Sequence, residues 1–266
     1  MDALQVVLLA VIQGLTEFLP VSSSAHLILL SIITHHEDQG LAFDIALHVG
    51  TLLAVIFYFR HELRIMIRDW CLSCMGRGQT PESRLMWALG FTTIPVGLAG
   101  LCFGQYISAY LRDPIVIAVG MIVFAVFLAY ADKYARETRT EYNITWKDVL
   151  VIGVAQAFAL IPGASRSGTT MTAGLLMGLS REASSRFSFL LSIPVILLAG
   201  GYEASKMTTS DWTSIEISFL LLGVVLSAIT AFACIHIFLK LIERIGMMPF
   251  VIYRLFLGVL LLVLFW

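Results

Sequence analysis

Two short polar clusters interrupt apolar segments of this chain. Gln13–His26 reads Gln-Gly-Leu-Thr-Glu-Phe-Leu-Pro-Val-Ser-Ser-Ser-Ala-His, and Gln156–Thr170 reads Gln-Ala-Phe-Ala-Leu-Ile-Pro-Gly-Ala-Ser-Arg-Ser-Gly-Thr-Thr. Each opens on a Gln, reaches a Pro six or seven residues later, and places a Ser three residues beyond it. Ionisable groups are costly in hydrocarbon unless partnered, so their presence there points to function. Glu17 lies one helical turn after Gln13 on the same face, so the amide can orient the carboxylate or share a cation with it. A carboxylate in this position can hold a divalent ion or act as general base.

Ser22, Ser23 and Ser24 follow the break at Pro20 and precede His26. One hydroxyl suffices to cap a helix start, which leaves others free for chemistry. A hydroxyl beside a carboxylate and an imidazole has what an activated nucleophile requires. Ser23 is the preferred nucleophile, with Glu17 or His26 as its base; attack by His26 itself or by water stays open. In the second cluster Gly163 and Gly168 allow a tight turn and close backbone approach to a ligand. Ser22, Ser165, Ser167, Thr169, Thr170 and the amides of a following helix start are suited to an anion. Arg166 adds a permanent charge with a planar fork that matches phosphate oxygens. It can alternatively neutralise Glu17 as a structural pair. Asp44, His48 and Arg254 weigh less: the first two sit near the outer end of a span, and Arg254 near an inner end where it can snorkel. His35-His36-Glu37-Asp38 reads as a solvated outer loop.

These clusters need elements to hold them, and composition says which. With 59% hydrophobic and 13% charged residues, the chain lies far from soluble proteins, in which about a quarter of residues are charged. Charge-free or nearly charge-free runs predict crossings at 41–59, 85–104, 114–131, 187–203, 217–239 and 250–266. The longest polar stretch, Arg60–Arg84, reads as a loop, so activity is expected in or on the membrane. The first segment lacks a basic n-region and a cleavage site, so it is expected to be structural and not a signal peptide. Cys71, Cys74, Cys102 and Cys234 are expected to be free thiols, because four clustered ligands are the usual zinc requirement.

Lys and Arg set the orientation. Counted over alternate loops, 13 basic residues fall on one side against two on the other, and the richer side is expected to be cytoplasmic. Asp132–Lys147 and Ser180–Arg186 both belong to that side, so the second cluster between them must enter and leave by one face. Such a re-entrant hairpin is tolerated only where its irregular backbone is buried or lines a wet cavity. Leu27–Ile33 is too short to cross, so the first cluster is expected to form a hairpin from the outside. The fold expected is an all-α polytopic membrane protein: six transmembrane helices plus two re-entrant helical hairpins in an inverted-topology repeat. It forms one domain over 1–266, with repeats of about 1–131 and 148–266. Inverted repeats bring broken helices together near the midplane, where the two clusters would meet.

At these residues the sequence resembles the undecaprenyl-diphosphate phosphatase family, the bacitracin-resistance type of bacterial inner membranes. Gln13 and Glu17 match a signature of Glu or Gln, three residues, then Glu, followed by Phe18-Leu-Pro-Val-Ser-Ser-Ser-Ala-His26. Pro162, Gly163, Ser165, Arg166, Ser167 and Thr170 meet the second signature in full. Arg186-Phe-Ser-Phe-Leu-Leu-Ser-Ile-Pro194 and Pro249-Phe-Val-Ile-Tyr-Arg254 add likeness, so the resemblance covers essentially the whole chain. It implies removal of the terminal phosphate from a C55 polyprenyl diphosphate, recycling the lipid carrier of peptidoglycan synthesis and conferring bacitracin tolerance. It further implies a divalent cation, magnesium or calcium, held by Glu17 with Gln13. A site toward the periplasm and a homodimer are also implied, with no nucleic-acid partner. The rival class is a transporter or flippase of an anionic lipid, since broken helices and midplane polar groups serve both.

Overall fold

The computed structural model describes residues 3–34, 40–111, 113–135, 138–207 and 216–265. The predicted outer loop His35–Asp38, and Arg112 and Arg136 of the charge count, lie outside them. The helices are α1 (Ala3–Thr16), α2 (Ser23–Thr34), α3 (Leu41–Tyr58), α4 (Arg60–Cys74), α5 (Pro81–Tyr110) and α6 (Pro114–Tyr134). They continue as α7 (Trp146–Ala157), α8 (Arg166–Leu176), α9 (Arg181–Lys206), α10 (Ile217–Ile245) and α11 (Met248–Phe265). Six of them, α3, α5, α6, α9, α10 and α11, are long and apolar enough to cross a membrane. They coincide with the six predicted crossings and extend several of them by a turn or more.

Local chemistry fixes where these helices begin. Thr80 and Ser83 form a reciprocal capping box at α5, with Pro81 in the first turn, and Thr145 and Asp148 do the same at α7. Asp113 accepts from the Ile115 amide at 2.7 Å to open α6, and Ser180 accepts from the Ala183 amide at 3.0 Å to open α9. Each bond supplies a partner to an amide that the helix itself cannot satisfy.

Arg60–Arg84, expected as a loop, holds helix α4 instead. Leu63, Met66 and Asp69 are its buried residues. Trp70, Trp87, Phe91 and Trp146 touch in series, an aromatic cluster of the kind found at membrane–water boundaries.

Carboxylates and arginines tie the ends of the basic-loop side together. Arg181 Nε donates to Asp132 Oδ1 at 2.6 Å, and the Met247 amide donates to Asp132 Oδ2 at 3.2 Å. Arg186 donates to both Glu62 and Glu141 at 2.6 Å. The end of α6, the start of α9 and the α10–α11 junction therefore share one face. The Ser180 amide donates to the Arg139 carbonyl at 3.0 Å, so the chain leaves α8 beside the point where it approached α7. The α7–α8 excursion thus starts and finishes at that face.

Close packing sets the arrangement of the remaining helices. A Cβ on Gly50 of α3 would lie 1.9 Å from Ser227 Oγ, and one on Gly14 of α1 would lie 2.8 Å from the Ser227 carbonyl. Only glycine allows α10 this near to both. The helix pairs also exchange in a regular way. α1 packs on α10 as α7 packs on α5, α3 packs on α10 as α9 packs on α5, and α6 pairs with α11. Gln13 and Gln156 each precede a positive-φ serine, Ser22 (φ 74°) or Ser165 (φ 73°), by the same nine residues. Those two are the only non-glycine residues with positive φ among the described residues.

The two cluster tips meet on Arg254. The sequence placed this residue where it could snorkel; instead it is fully buried. Its Nη1 donates to the Pro20 carbonyl at 3.1 Å. Nη2 donates to the Gly163 and Ala164 carbonyls at 2.8 and 2.9 Å, and Nε to the Met121 carbonyl at 3.3 Å. The Pro20, Gly163 and Ala164 carbonyls lie in backbone outside the helices, so a fork of N–H donors answers a real deficit there. Gly163 fits for a second reason: its φ is +87°, and a Cβ there would lie 2.2 Å from the Ile117 carbonyl.

Two predictions follow from this framework. Arg254→Ala leaves several buried acceptors without donors, each costing about 1–3 kcal/mol. Thermal unfolding of purified protein should fall by roughly 10 °C, and Arg254→Lys should recover only part of that, since it lacks the fork. The second concerns Asp148, in the tip-to-face connection. Burial pushes its carboxyl up, but bonds from Arg139 and Thr145 outweigh that and hold it below the usual carboxylate range. The stability it contributes is therefore complete above the unfolded value of 3.8 and is lost as pH falls through the lower folded value. The Tm difference between the native protein and Asp148→Asn should be constant from neutral pH to about 4 and shrink below it.

Candidate active site

Glu17 sits just past the C-terminal end of α1, buried, where the chain turns toward Pro20. Its carboxylate collects donors from three elements. Gln13 Nε2, one turn earlier on α1, donates to Oε2 at 3.0 Å. Ser23 Oγ, from the first turn of α2, donates to the same oxygen at 2.8 Å. Arg166 Nη2, from the first turn of α8, donates to Oε1 at 2.9 Å. The contact that the sequence reading required, Glu17 with Arg166 across 149 residues, is thus a direct ion pair.

Arg166 is oriented on both sides. Nη1 donates to the Ser188 carbonyl of α9 at 3.0 Å, and the guanidinium carbon lies 6.0 Å from the centre of the Phe18 ring. Phe18 in turn meets Phe189 edge to face, with centroids 5.2 Å apart. Thr170 Oγ1 shares a 2.8 Å bond with Ser188 Oγ. The guanidinium is therefore held beside the carboxylate by the Ser188 carbonyl of α9 and the Phe18 ring.

The other expected phosphate-binding hydroxyls are occupied in shaping the tips. Ser165 Oγ accepts from the Gly168 amide at 3.1 Å, capping α8, and lies 3.2 Å from Ser167 Oγ. Ser167 Oγ donates to the Leu19 carbonyl at 2.8 Å, joining the second tip to the first. Thr169 Oγ1 bonds the Ser165 and Arg166 carbonyls at 3.0 Å. Ser22 is buried, with its Oγ 3.3 Å from Ser24 Oγ.

His26 is not at the carboxylate. Its Nδ1 lies 2.7 Å from the Ser22 carbonyl and its Nε2 lies 2.6 Å from Tyr253 Oη of α11. A carbonyl only accepts, so Nδ1 carries the proton and, in the neutral ring, Tyr253 donates to Nε2. Both ring nitrogens of His26 are thus engaged away from Ser23, whose hydroxyl is bonded to Glu17 instead. The imidazole that does stand near Glu17 is His48, with Nε2 3.8 Å from Oε2. The sequence reading gave it little weight, although a His one turn from Asp44 in an apolar span was a visible signal. Ser188 and the clamp role of Arg254 were also missed.

Among the described residues, no group of three or more His, Cys, Asp or Glu side chains is arranged to hold a metal ion. Gln13 Oε1 is different in kind: it is buried and has no hydrogen-bond partner among the described residues. The four cysteines are free thiols, with Cys234 buried.

Chemically, this is a hydroxyl hydrogen-bonded to a carboxylate that is itself fixed by a guanidinium, at the junction of two broken helices. Such a set can activate an alcohol and bind an anion side by side. Comparison with known proteins agrees. The family model described as "Bacitracin resistance protein BacA" matches residues 6–260. An undecaprenyl-diphosphatase of Thioalkalivibrio sulfidiphilus is 57% identical, with both chains covered in full. Undecaprenyl-diphosphatase 2 of Stutzerimonas stutzeri is 56% identical over 100% of this chain and 99% of its own. The undecaprenyl-diphosphatase of Nitrosococcus oceani is 54% identical with both chains covered in full. On a match that runs through both polar clusters and all six long helices, the chain belongs to the bacitracin resistance protein BacA family.

Proposed function

We propose that this multi-pass membrane protein hydrolyses undecaprenyl diphosphate to undecaprenyl phosphate and inorganic phosphate. That reaction returns the lipid carrier to cell-wall synthesis and removes the diphosphate form on which bacitracin acts. The observation that carries the reading is the chain of bonds from Ser23 through Glu17 to Arg166. It places nucleophile, base and anion-binding cation within one junction. A flippase needs a broken-helix site, but nothing in flipping calls for a serine bonded to a buried carboxylate.

Glu17 Oε2 takes the proton as Ser23 Oγ attacks the terminal phosphorus. The phosphoanhydride bond breaks, and undecaprenyl phosphate leaves. Water then attacks the phosphoserine, Glu17 returns its proton, and inorganic phosphate departs. Arg166 trades its bond to Glu17 for the equatorial oxygens of the transferring group. Freeing the carboxylate in this way raises its basicity when substrate arrives. Phosphoryl transfer depends mainly on such positioning and charge stabilisation.

A divalent cation, magnesium or calcium, belongs to this proposal, with Glu17 and Gln13 as its ligands. The fit rests on Gln13 Oε1, a buried oxygen without a partner among the described residues, on the side chain whose nitrogen already touches Glu17. Hard cations favour such carboxylate and amide oxygens. Bound there, the ion would neutralise charge on phosphoryl oxygens. We also propose that segments of about 1–131 and 148–266 are inverted repeats in the inner membrane. The exchange of helix pairs and the matched Gln and Ser positions support this. A site reached from the periplasmic side belongs to the proposal as what the family resemblance implies.

The test is phosphate release from undecaprenyl diphosphate by purified protein in detergent, where transport does not register. Arg166→Ala should lower the rate by roughly 10²–10³-fold, with helical content and elution volume retained. Ser23→Ala should do at least as much. Full activity in Arg166→Ala would overturn the assignment, and near-native activity in Ser23→Ala would transfer the attack to water.

A further inference from the structure

We infer that Tyr253 and His26 are positioning residues for Ser23: together they brace the peptide plane from which the nucleophile projects. The inference deepens the phosphatase reading and rests on it for the role of Ser23. The geometry of the brace stands by itself.

Ser22 and Ser23 share one peptide group, so the Ser22 carbonyl and the Ser23 nitrogen and Cα lie in a plane. Holding the oxygen holds that Cα, and with it the direction in which Ser23 Oγ reaches Glu17 at 2.8 Å. The carbonyl needs a firm partner, because Ser22 is in positive-φ backbone, with φ 74°. The helix supplies only a long bond, from the His26 amide at 3.4 Å. The His26 side chain makes the short one, with Nδ1 2.7 Å from the same oxygen. A carbonyl only accepts, so Nδ1 donates whether the ring is neutral or charged.

The second tip repeats the device with a different side chain. Ser165 also has positive φ, 73°, and also precedes a functional residue, Arg166. Its carbonyl accepts from the Thr169 amide at 2.9 Å and from Thr169 Oγ1 at 3.0 Å. His26 lies four residues after Ser22, as Thr169 lies four after Ser165. Each tip thus puts a side-chain donor on the peptide plane of its functional residue. A threonine hydroxyl is neither acid nor base near neutral pH, so the task both side chains can perform is this grip.

An imidazole has to be aimed, and α11 aims it. Tyr253 Oη lies 2.6 Å from His26 Nε2, and the two rings are nearly parallel, 7° apart, with centroids at 5.6 Å. The next residue, Arg254, donates to the Pro20 carbonyl at 3.1 Å. Consecutive residues of α11 therefore hold the first tip on both sides of Val21, Arg254 directly and Tyr253 through His26. Among the described residues, the His26 ring bonds Ser22 and Tyr253, not Ser23 Oγ or Glu17. The brace acts on orientation, to which attack is sensitive at the scale of an ångström.

The experiment uses the purified full chain in detergent. Phosphate release from undecaprenyl diphosphate gives kcat and KM, and mass spectrometry follows amide exchange over the first turns of α2 without substrate, with α10 as the fold control. Tyr253→Phe keeps the ring and loses the hydroxyl; kcat should fall roughly tenfold with KM within about twofold of native. His26→Ala should lose roughly 10²-fold in kcat. His26→Thr, which gives the first tip the donor of the second, should recover about tenfold of that loss. Exchange in α2 should quicken in Tyr253→Phe and His26→Ala and stay closer to native in His26→Thr. Native kcat in Tyr253→Phe would overturn the inference, as would exchange unchanged in Tyr253→Phe and His26→Ala. So would His26→Thr as slow as His26→Ala, which would make the imidazole an acid or base. The two readings fail separately. Native release with unchanged exchange in the variants removes the brace and leaves the phosphatase, whereas quickened exchange without native release keeps the brace and removes the phosphatase.

Discussion

A guanidinium buried among main-chain carbonyls holds this protein's two halves in register. Arg254 reaches Pro20 in the first tip and Gly163 and Ala164 in the second, while Met121 fixes it to α6. Broken helices at membrane depth leave carbonyls that neither water nor lipid can satisfy. Leaving them unpaired costs more than burying a charge that pairs all of them at once. The tips are therefore forced to share one donor, and sharing it puts Glu17 next to Arg166. Catalytic geometry here follows from a backbone deficit at a distance from the reacting atoms.

The charges at the junction balance in the same spirit. Glu17 is buried, yet its two oxygens receive a guanidinium, an amide and a hydroxyl. A carboxylate so well provided is a poor base until one donor is drawn away. On the mechanism proposed above, an anionic substrate competes for Arg166, so arrival of the diphosphate would both bind and switch on the site. Bond strengths in a low dielectric make that exchange sensitive to small displacements.

Much of this was legible in the residues. Six apolar runs gave six long helices, and the two ends of the second cluster, which the loop charges put together, are joined by the Ser180–Arg139 bond. The meeting of Glu17 and Arg166 was legible because each is an unlikely residue for hydrocarbon beside a helix breaker. What escaped was whatever depended on partners without a sequence signature. Arg254 binds carbonyls, which every residue has, so a span with one Arg near its end looked like snorkelling. His26 had three plausible neighbours in sequence but turns to Tyr253, 227 residues away. The amphipathic helix α4 was hidden in a charged stretch because its inward residues are few, chiefly Leu63 and Met66.

Ser22 and Ser165, the residues just before α2 and α8, have positive φ, a state that costs a non-glycine residue on the order of 1–2 kcal/mol. Glycine would relieve that strain, but at position 165 it would delete the hydroxyl that caps the Gly168 amide. The tolerated alphabet at such a site shrinks to residues that combine a short polar side chain with positive φ, which in practice means Ser, Asn, Asp and, with loss of the cap, Gly. Anyone diversifying this scaffold should hold positions 22 and 165 to that set while leaving the lipid-facing helix surfaces free to vary.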